Sequence, residues 1–304
     1  MDVLTDVLNA LELRGWLHSR TEAAAGWRFD FAASGDSTFH ILSLGGGYLR
    51  VAGEDTPVKV ASGDVIVLPH GHAHALCDDL TAPLTQVVRL DYDAHRQYQV
   101  FSSKDQEPRT AMLCGAFHLE NSDSYPLLRC LPKLIHIPGE QGQLTQGFAD
   151  TVNRIAREAG SPRAGTEVML RRLTEMLFIE VIRVWIDQQT PSAAGWLGAL
   201  RDQPIGTALG LIHQSPEHPW KVQELADAVS LSRSAFSARF ARLVGEPPFT
   251  YLTRWRMHRA TRLLKDGTPT ERIAHQLGYD SAVAFRKAFK REVGIPPATY
   301  RQLT

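Results

Sequence analysis

From Val222 onward the chain carries one helix-turn-helix pattern twice, which constrains its C-terminal part to fold as two small helical bundles. The copies are VQELADAVSLSRSAFSARFARLVGEPPFTYL, starting at Val222, and ERIAHQLGYDSAVAFRKAFKREVGIPPATYR, starting at Glu271. Leu225 and Ala226 align with Ile273 and Ala274 at an offset of 48, whereas Phe236, Phe240, Val244, Gly245, Pro247 and Tyr251 align with Phe285, Phe289, Val293, Gly294, Pro296 and Tyr300 at 49. The turn of one copy therefore holds one extra residue. A chain that carries two such units is suited to reading DNA rather than to catalysis.

In each copy a short helix, with Leu225 and Val229 or Ile273 and Leu277 on its apolar face, reaches a break at Ser230 or Gly278. Ser232 and Ser281 then stand where a second helix needs an N-cap to accept its orphan amide hydrogens. The phenylalanine pairs are spaced i and i+4, so both rings of a pair fall on one helix face and point into the core. The opposite face carries Arg233, Ser234, Ser237, Ala238 and Arg242 in the first copy, and Ser281, Val283, Arg286, Lys287 and Lys290 in the second. Small residues with a few cations let a helix lie in a major groove while donors reach base edges and phosphates. A helical bundle with solvated basic faces would show the same pattern once, but the tandem copy favours the DNA reading.

The stretch from about Trp196 to Leu303, notably LADAVSLSRSAFSARF, YLTRWRMHRATRLL and IAHQLGYDSAVAFRKAFKREVGIPPATYR, resembles the DNA-binding domain of AraC/XylS transcription regulators. The resemblance implies two recognition helices, Ser232 to Val244 and Ser281 to Val293, joined by a rigid connector from about Pro248 to Leu264. These helices are expected to enter successive major grooves of double-stranded DNA.

The net charge of zero hides an asymmetry: residues 196–304 hold 16 Lys and Arg against 9 Asp and Glu, and residues 1–195 hold 17 against 24. A basic part joined to an acidic one suggests that the first meets phosphate and the second does not. The N-terminus has no basic stretch followed by a long apolar run, and no apolar segment is long enough to span a bilayer, so the expectation is a cytoplasmic protein with no membrane partner. Three cysteines, Cys77, Cys114 and Cys130, are too few for a disulfide framework.

Between Trp27 and Glu120 short β-rich runs broken by Gly, Asp and Pro suggest an antiparallel sandwich or barrel. One segment is more specific. GDVIVLPHGHAH, with Gly63, Pro69, Gly71 and His74, resembles the second cupin motif; His40 falls at a ligand position of the first, although Ala33 to Asp36 replace the usual His-x-His and Asp78 replaces a common Asn. With CGAFHLE and PLLRCLPKLIHI, the likeness extends to the cupin-type domain at the N-terminus of one AraC-type subgroup. It implies an effector-binding barrel, with His40, His74 and Cys114 as contacts. In enzymatic cupins such a barrel holds a transition metal such as zinc, for which His40, His72, His74 and Cys114 are the candidate ligands. A His-rich corner is more often hydrogen-bonded structure, and the Pro-His-Gly corner argues against His70, His72 and His74 all facing one way. Cys114, in an apolar strand, reads first as an inert thiol, and a redox role would need nearby cations to favour thiolate.

Residues from about Leu144 to Gln189 turn helical, with a wide apolar stripe through Val168, Leu170, Leu173, Met176, Leu177, Ile179, Val181, Ile182 and Val184. More surface is offered than one barrel flank covers, which implies a partner helix and a homodimer, the alternative being that the helix packs across the barrel. TPSAAG from Thr190 reads as a linker.

These features together predict an α+β two-domain chain: an antiparallel cupin-like β-barrel with trailing helices over 1–189, a linker over 190–198, and an all-α tandem helix-turn-helix domain over 199–304. The function they imply is transcription regulation under a small-molecule, metal or redox signal, in an activator dimer able to contact RNA polymerase. A cupin-type metalloenzyme with an appended DNA-binding domain is the alternative. A DNA-repair methyltransferase is disfavoured, because the scattered cysteines form no zinc-held cluster.

Overall fold

The computed structural model describes residues 3–10, 13–88, 99–102, 107–119, 128, 130–139, 146–161, 163–188 and 196–303. The chain divides into two compact units: residues 12–122 with 131–189, and residues 1–11 with 123–130 and 190–304. Most of the 190–198 linker lies outside the described residues.

The first unit holds β1 (Leu13–Ala23), β2 (Arg28–Phe31), β3 (Ser37–Leu44), β4 (Gly46–Val51), β5 (Val58–Ala61), β6 (Val65–Leu68), β7 (His74–Cys77), β8 (Gln86–Val88), β9 (Gln99–Ser102), β10 (Thr110–Leu119) and β11 (Ile135–Ile137). They form one sheet in the order β11-β6-β3-β10-β1-β9 and a second in the order β5-β4-β7-β2-β8. Pairing is antiparallel except for β1 with β9 and β2 with β8. Alternating residues from both sheets, among them Phe29, Phe31, Leu49, Leu76 and Met112, build one apolar core. The cupin-like corner is made by glycine. Gly63 takes φ +89°, and Gly71 takes φ +60° where a Cβ would stand 2.3 Å from the Ser34 carbonyl oxygen. Asp64 accepts from the Ala61 and Gly139 amides and from His136 Nε2, which fixes the turn into β6.

Two helices, α2 (Gln146–Gly160) and α3 (Thr166–Gln188), pack together, and α3 also packs on β1. Gly15 makes that approach feasible, since a Cβ there would stand 2.5 Å from the Thr174 hydroxyl. Leu170, Leu173, Leu177, Phe178, Val181 and Ile182 are all buried within this unit, and Phe178 meets Phe117 at 5.1 Å between ring centroids. Most of the apolar stripe is thus satisfied inside the protomer, which corrects the expectation that these residues face a partner; of the stripe only Val168 and Met176 are exposed, beside Met169.

The second unit holds α1 (Val3–Ala10), α4 (Trp196–Arg201), α5 (Gln203–Gln214), α6 (Val222–Ala228), α7 (Arg233–Val244), α8 (Pro248–Lys265), α9 (Thr270–Gln276), α10 (Ala282–Val293) and α11 (Pro297–Leu303). Residues 1–11 were expected with the barrel; instead α1 buries Val3 and Val7 and packs on α5. The two copies repeat the same aromatic ladder. Phe236, Phe240 and Tyr251 succeed one another at 5.6 and 5.9 Å, as Phe285, Phe289 and Tyr300 do at 5.7 and 5.7 Å.

Candidate functional sites

The two turns superpose in chemistry as well as in sequence. Ser230 and Gly278 both take positive φ, 56° and 71°, and Leu231 and Tyr279 each donate their amide to the carbonyl of Ala226 or Ala274 at 2.9 Å. Ser232 and Ser281 then cap α7 and α10, each side-chain oxygen accepting from the third amide on at 3.2 Å. The extra residue is therefore Asp280, between Tyr279 and the cap. Gly245 and Gly294, at φ 86° and 89°, end both helices in the left-handed conformation that glycine adopts without strain.

With the phenylalanines inside, the outer faces lie in solvent as the spacing predicts. Arg233, Ser234, Ala238 and Arg242 are exposed on α7, with Ser237 half-buried; Ser281, Val283, Arg286, Lys287 and Lys290 are exposed on and before α10. One cation of α7 is engaged within the unit: Arg239 pairs through both Nε and Nη2 with Asp202, the residue that caps α5. Arg286 Nε donates to its own helix at the Ala282 carbonyl, 3.1 Å away.

In the β-rich unit, His40 on β3, His74 on β7 and Cys114 on β10 do meet. Cys114 sits opposite His40 in the strand register, and Phe31 stacks on His74 at 4.7 Å. His40 Nδ1 lies 3.1 Å from Cys114 Sγ, His40 Nε2 lies 2.7 Å from His74 Nε2, and His74 Nδ1 lies 2.8 Å from the His72 carbonyl oxygen. That carbonyl can only accept, and a neutral imidazole carries a single N–H, so with His74 neutral the direction of the whole chain follows. His74 Nδ1–H donates to it, His40 Nε2–H donates to the bare His74 Nε2, and the Cys114 thiol donates to the bare His40 Nδ1. Every group in this arrangement is neutral. Burial holds His40 well below the usual imidazole range and His74 down to about 4, and it pushes the Cys114 thiol up to about 12, partly offset by a hydrogen bond with Ser19.

The metal expectation is corrected by this geometry. Cys114 and His74 approach opposite nitrogens of His40, and His72 joins through its carbonyl while its ring packs edge-on against His70 at 5.8 Å. Among the described residues no three His, Cys, Asp or Glu side chains converge as a metal ion requires. The donors do not fit zinc, and burial favours the neutral thiol of Cys114 over the thiolate. A place the sequence did not indicate is a groove of about 530 Å3 lined by Arg20, Ser43, Leu113, Asp150, Asn153 and Arg157. It lies between α2 and the outer face of β1, β3 and β10, strands remote from one another in sequence.

Comparison with known proteins agrees with both halves. Residues 2–187 match the family described as Cupin, and residues 225–303 match the family described as Helix-turn-helix domain. A putative AraC-like transcription regulator of Streptomyces antibioticus is 31% identical over 99% of both chains, and one of Streptomyces lividans is 32% identical over 99% of this chain and 98% of its own. The RCS-specific transcriptional activator RclR of Escherichia coli is 25% identical over 99% of this chain and 98% of its own. No helix among the described residues is long and apolar enough to cross a membrane.

Proposed function

The chain belongs to the AraC-like transcription regulators, DNA-binding proteins, here with a cupin domain ahead of the helix-turn-helix domain, and from that membership we propose how DNA and signal are met. DNA is read by the outward faces of α7 and α10. Arg233, Arg242, Lys287 and Lys290 neutralise phosphates, while Ser234, Ser237, Ala238, Val283 and Arg286 lie against base edges. The observation that carries this reading is the pair of serine-capped, cation-bearing helices, each held by an identical aromatic ladder. Relatives named as regulators over the full length of the chain set aside a cupin metalloenzyme with an appended DNA anchor.

The signal is sensed in the β-rich unit, at the hydrogen-bonded chain of Cys114, His40 and His74. Three polar groups in an apolar core cost desolvation that aliphatic side chains would avoid, a common mark of function rather than packing. Of the signal classes considered, a small molecule suits the neutral, non-convergent donors better than a metal or an oxidant does. It acts by binding the active and inactive arrangements of the protein with different affinity. A reporter assay of the induced response tests this: His74→Ala and His40→Ala should abolish it, with operator binding by the uninduced protein retained. A parent-like response in both, with loss in Arg157→Ala, would move the sensing site to the groove over β10. We place the apolar contact of a homodimer at the exposed Val168, Met169 and Met176 of α3.

A further inference from the structure

The connector α8 serves two cores in turn. Its first half gives Tyr251, Leu252 and Trp255 to the burial around the first copy; its second half gives Met257, Ala260 and Leu264 to the core of the second. Between these halves stands Arg256, half-buried on neither core face. Its Nε donates to the Pro216 carbonyl at 2.6 Å and its Nη2 to the His218 carbonyl at 3.0 Å, both in the loop that leads into the first copy. Its guanidinium carbon lies 5.5 Å from the centroid of the Tyr279 ring, in the turn of the second copy. Neither anchor is loose. The loop is tied by Trp220 Nε1 donating to the Ser215 carbonyl, and Tyr279 packs against Phe285 at 5.6 Å. Loop and turn also touch directly, because a Cβ on Gly278 would stand 2.0 Å from the Glu217 carbonyl oxygen.

We infer that Arg256 is a positioning residue that sets the separation at which the two recognition helices meet DNA, by bracing the first helix-turn-helix copy against the second. The inference rests on α7 and α10 being the reading helices. A single helix resists stretching, but with one copy packed on each half it tolerates bending and rotation about its axis. An off-axis brace removes that freedom. Displacement of one reading helix by about 3.4 Å moves it a full base pair along the strand, so a modest slackening changes which spacing is read. Arginine is well matched to this place, because its fork takes two carbonyls at once while its plane lies against an aromatic ring.

The test is selection of bound duplexes from a random-sequence library by the purified full-length chain, followed by sequencing. The parent should enrich two half-site motifs at one fixed spacing. Arg256→Ala should enrich the same two motifs across several spacings, and in competition should discriminate the parent spacing from one base pair more by at least about tenfold less, or about 1.4 kcal/mol. Tyr279→Leu keeps both carbonyl bonds and an apolar group over Phe285, and should broaden the spacing too. That variant carries the test if Arg256→Ala does not fold. A general loss of stability would weaken both motifs without spreading their separation. An unchanged single spacing in the folded variants overturns the inference alone; enrichment of no duplex, or of a single half-site, by the parent overturns the DNA-reading assignment and the inference with it.

Discussion

Ser230 is the one described non-glycine residue with positive φ, at 56°, and its counterpart in the second copy is Gly278 at 71°. A left-handed conformation costs an L-residue about 1–2 kcal/mol, whereas glycine pays about 0.5–1 kcal/mol in lost unfolded-state freedom. Ser230→Gly should therefore stabilise the helical unit by about 0.5–1 kcal/mol, seen as a higher urea midpoint with an unchanged slope. Gly278→Ala should do the opposite, since the methyl meets both the positive φ and the Glu217 carbonyl. A Gly278→Ala variant that unfolds with the parent would show that this contact is not closed in solution. Phe240→Ala, at a fully buried position, should cost about 3–5 kcal/mol. The turn chemistry was readable in advance because it is local: serine caps, the glycine ends and the i, i+4 phenylalanines follow from neighbours a few residues apart. Which residue of the second turn is the extra one was not, because Leu231 and Tyr279 had to be recognised as equivalents by their amide bonds.

At the scale of elements, α7 and α10 present unequal charge. With Arg239 committed to Asp202, α7 presents outward Arg233 and Arg242, whereas α10 presents Arg286, Lys287 and Lys290. Each phosphate contact contributes about 0.9 to the slope of log affinity against log salt, so Lys287→Ala should weaken duplex binding and flatten that slope by about one unit. Arg239→Ala should act through stability instead, leaving the slope of the folded protein as it was. Anisotropy titrations at several salt concentrations decide this; equal slopes for Lys287→Ala and the parent would remove Lys287 from the phosphate contacts. For α3, the apolar stripe was visible in the sequence but its partner was not. Periodicity marks which face is buried and is silent on whether the neighbour is β1, α2 or a second chain. The same holds for α1, whose Val3 and Val7 meet a helix two hundred residues away in sequence, and for His40 and Cys114, joined only by the register of β3 with β10. His74 was legible as an inward residue because the glycine corner aims it, and His72, one corner position earlier, was not.

For the whole molecule, burial of neutral histidine couples both units to pH. His40 and His74 lie in the β-rich unit; in the helical unit His213 stacks on Trp255 at 3.9 Å, bonds the Tyr251 hydroxyl at 2.7 Å, and has its pKa lowered to about 3 by burial and then by Arg259. Asp6 stands 3.6 Å from His213 Nδ1, yet a neutral imidazole makes no ion pair with it at neutral pH. In each case the folded pKa lies below the unfolded value near 6.5, so between them the unfolded chain binds more protons and stability rises with pH. The contribution is complete above about pH 6.5 and is lost as pH falls toward about 4 for His74 and about 3 for His213. At pH 5 His74 and His213 should each have forfeited about 2 kcal/mol, at about 1.4 kcal/mol per pH unit. Because the histidines are divided between two units, calorimetry of the full chain should show both unfolding transitions moving to lower temperature from pH 7 to pH 5. His213→Phe keeps a ring against Trp255 and loses the bond to Tyr251, so it should lower the helical transition at pH 7 while making that transition less sensitive to pH. The transition of the β-rich unit should keep its full dependence. Transitions that hold their temperatures from pH 7 to pH 5 would mean that these imidazoles are hydrated, and the neutral hydrogen-bonded chain from Cys114 to His72 would have to be abandoned with them.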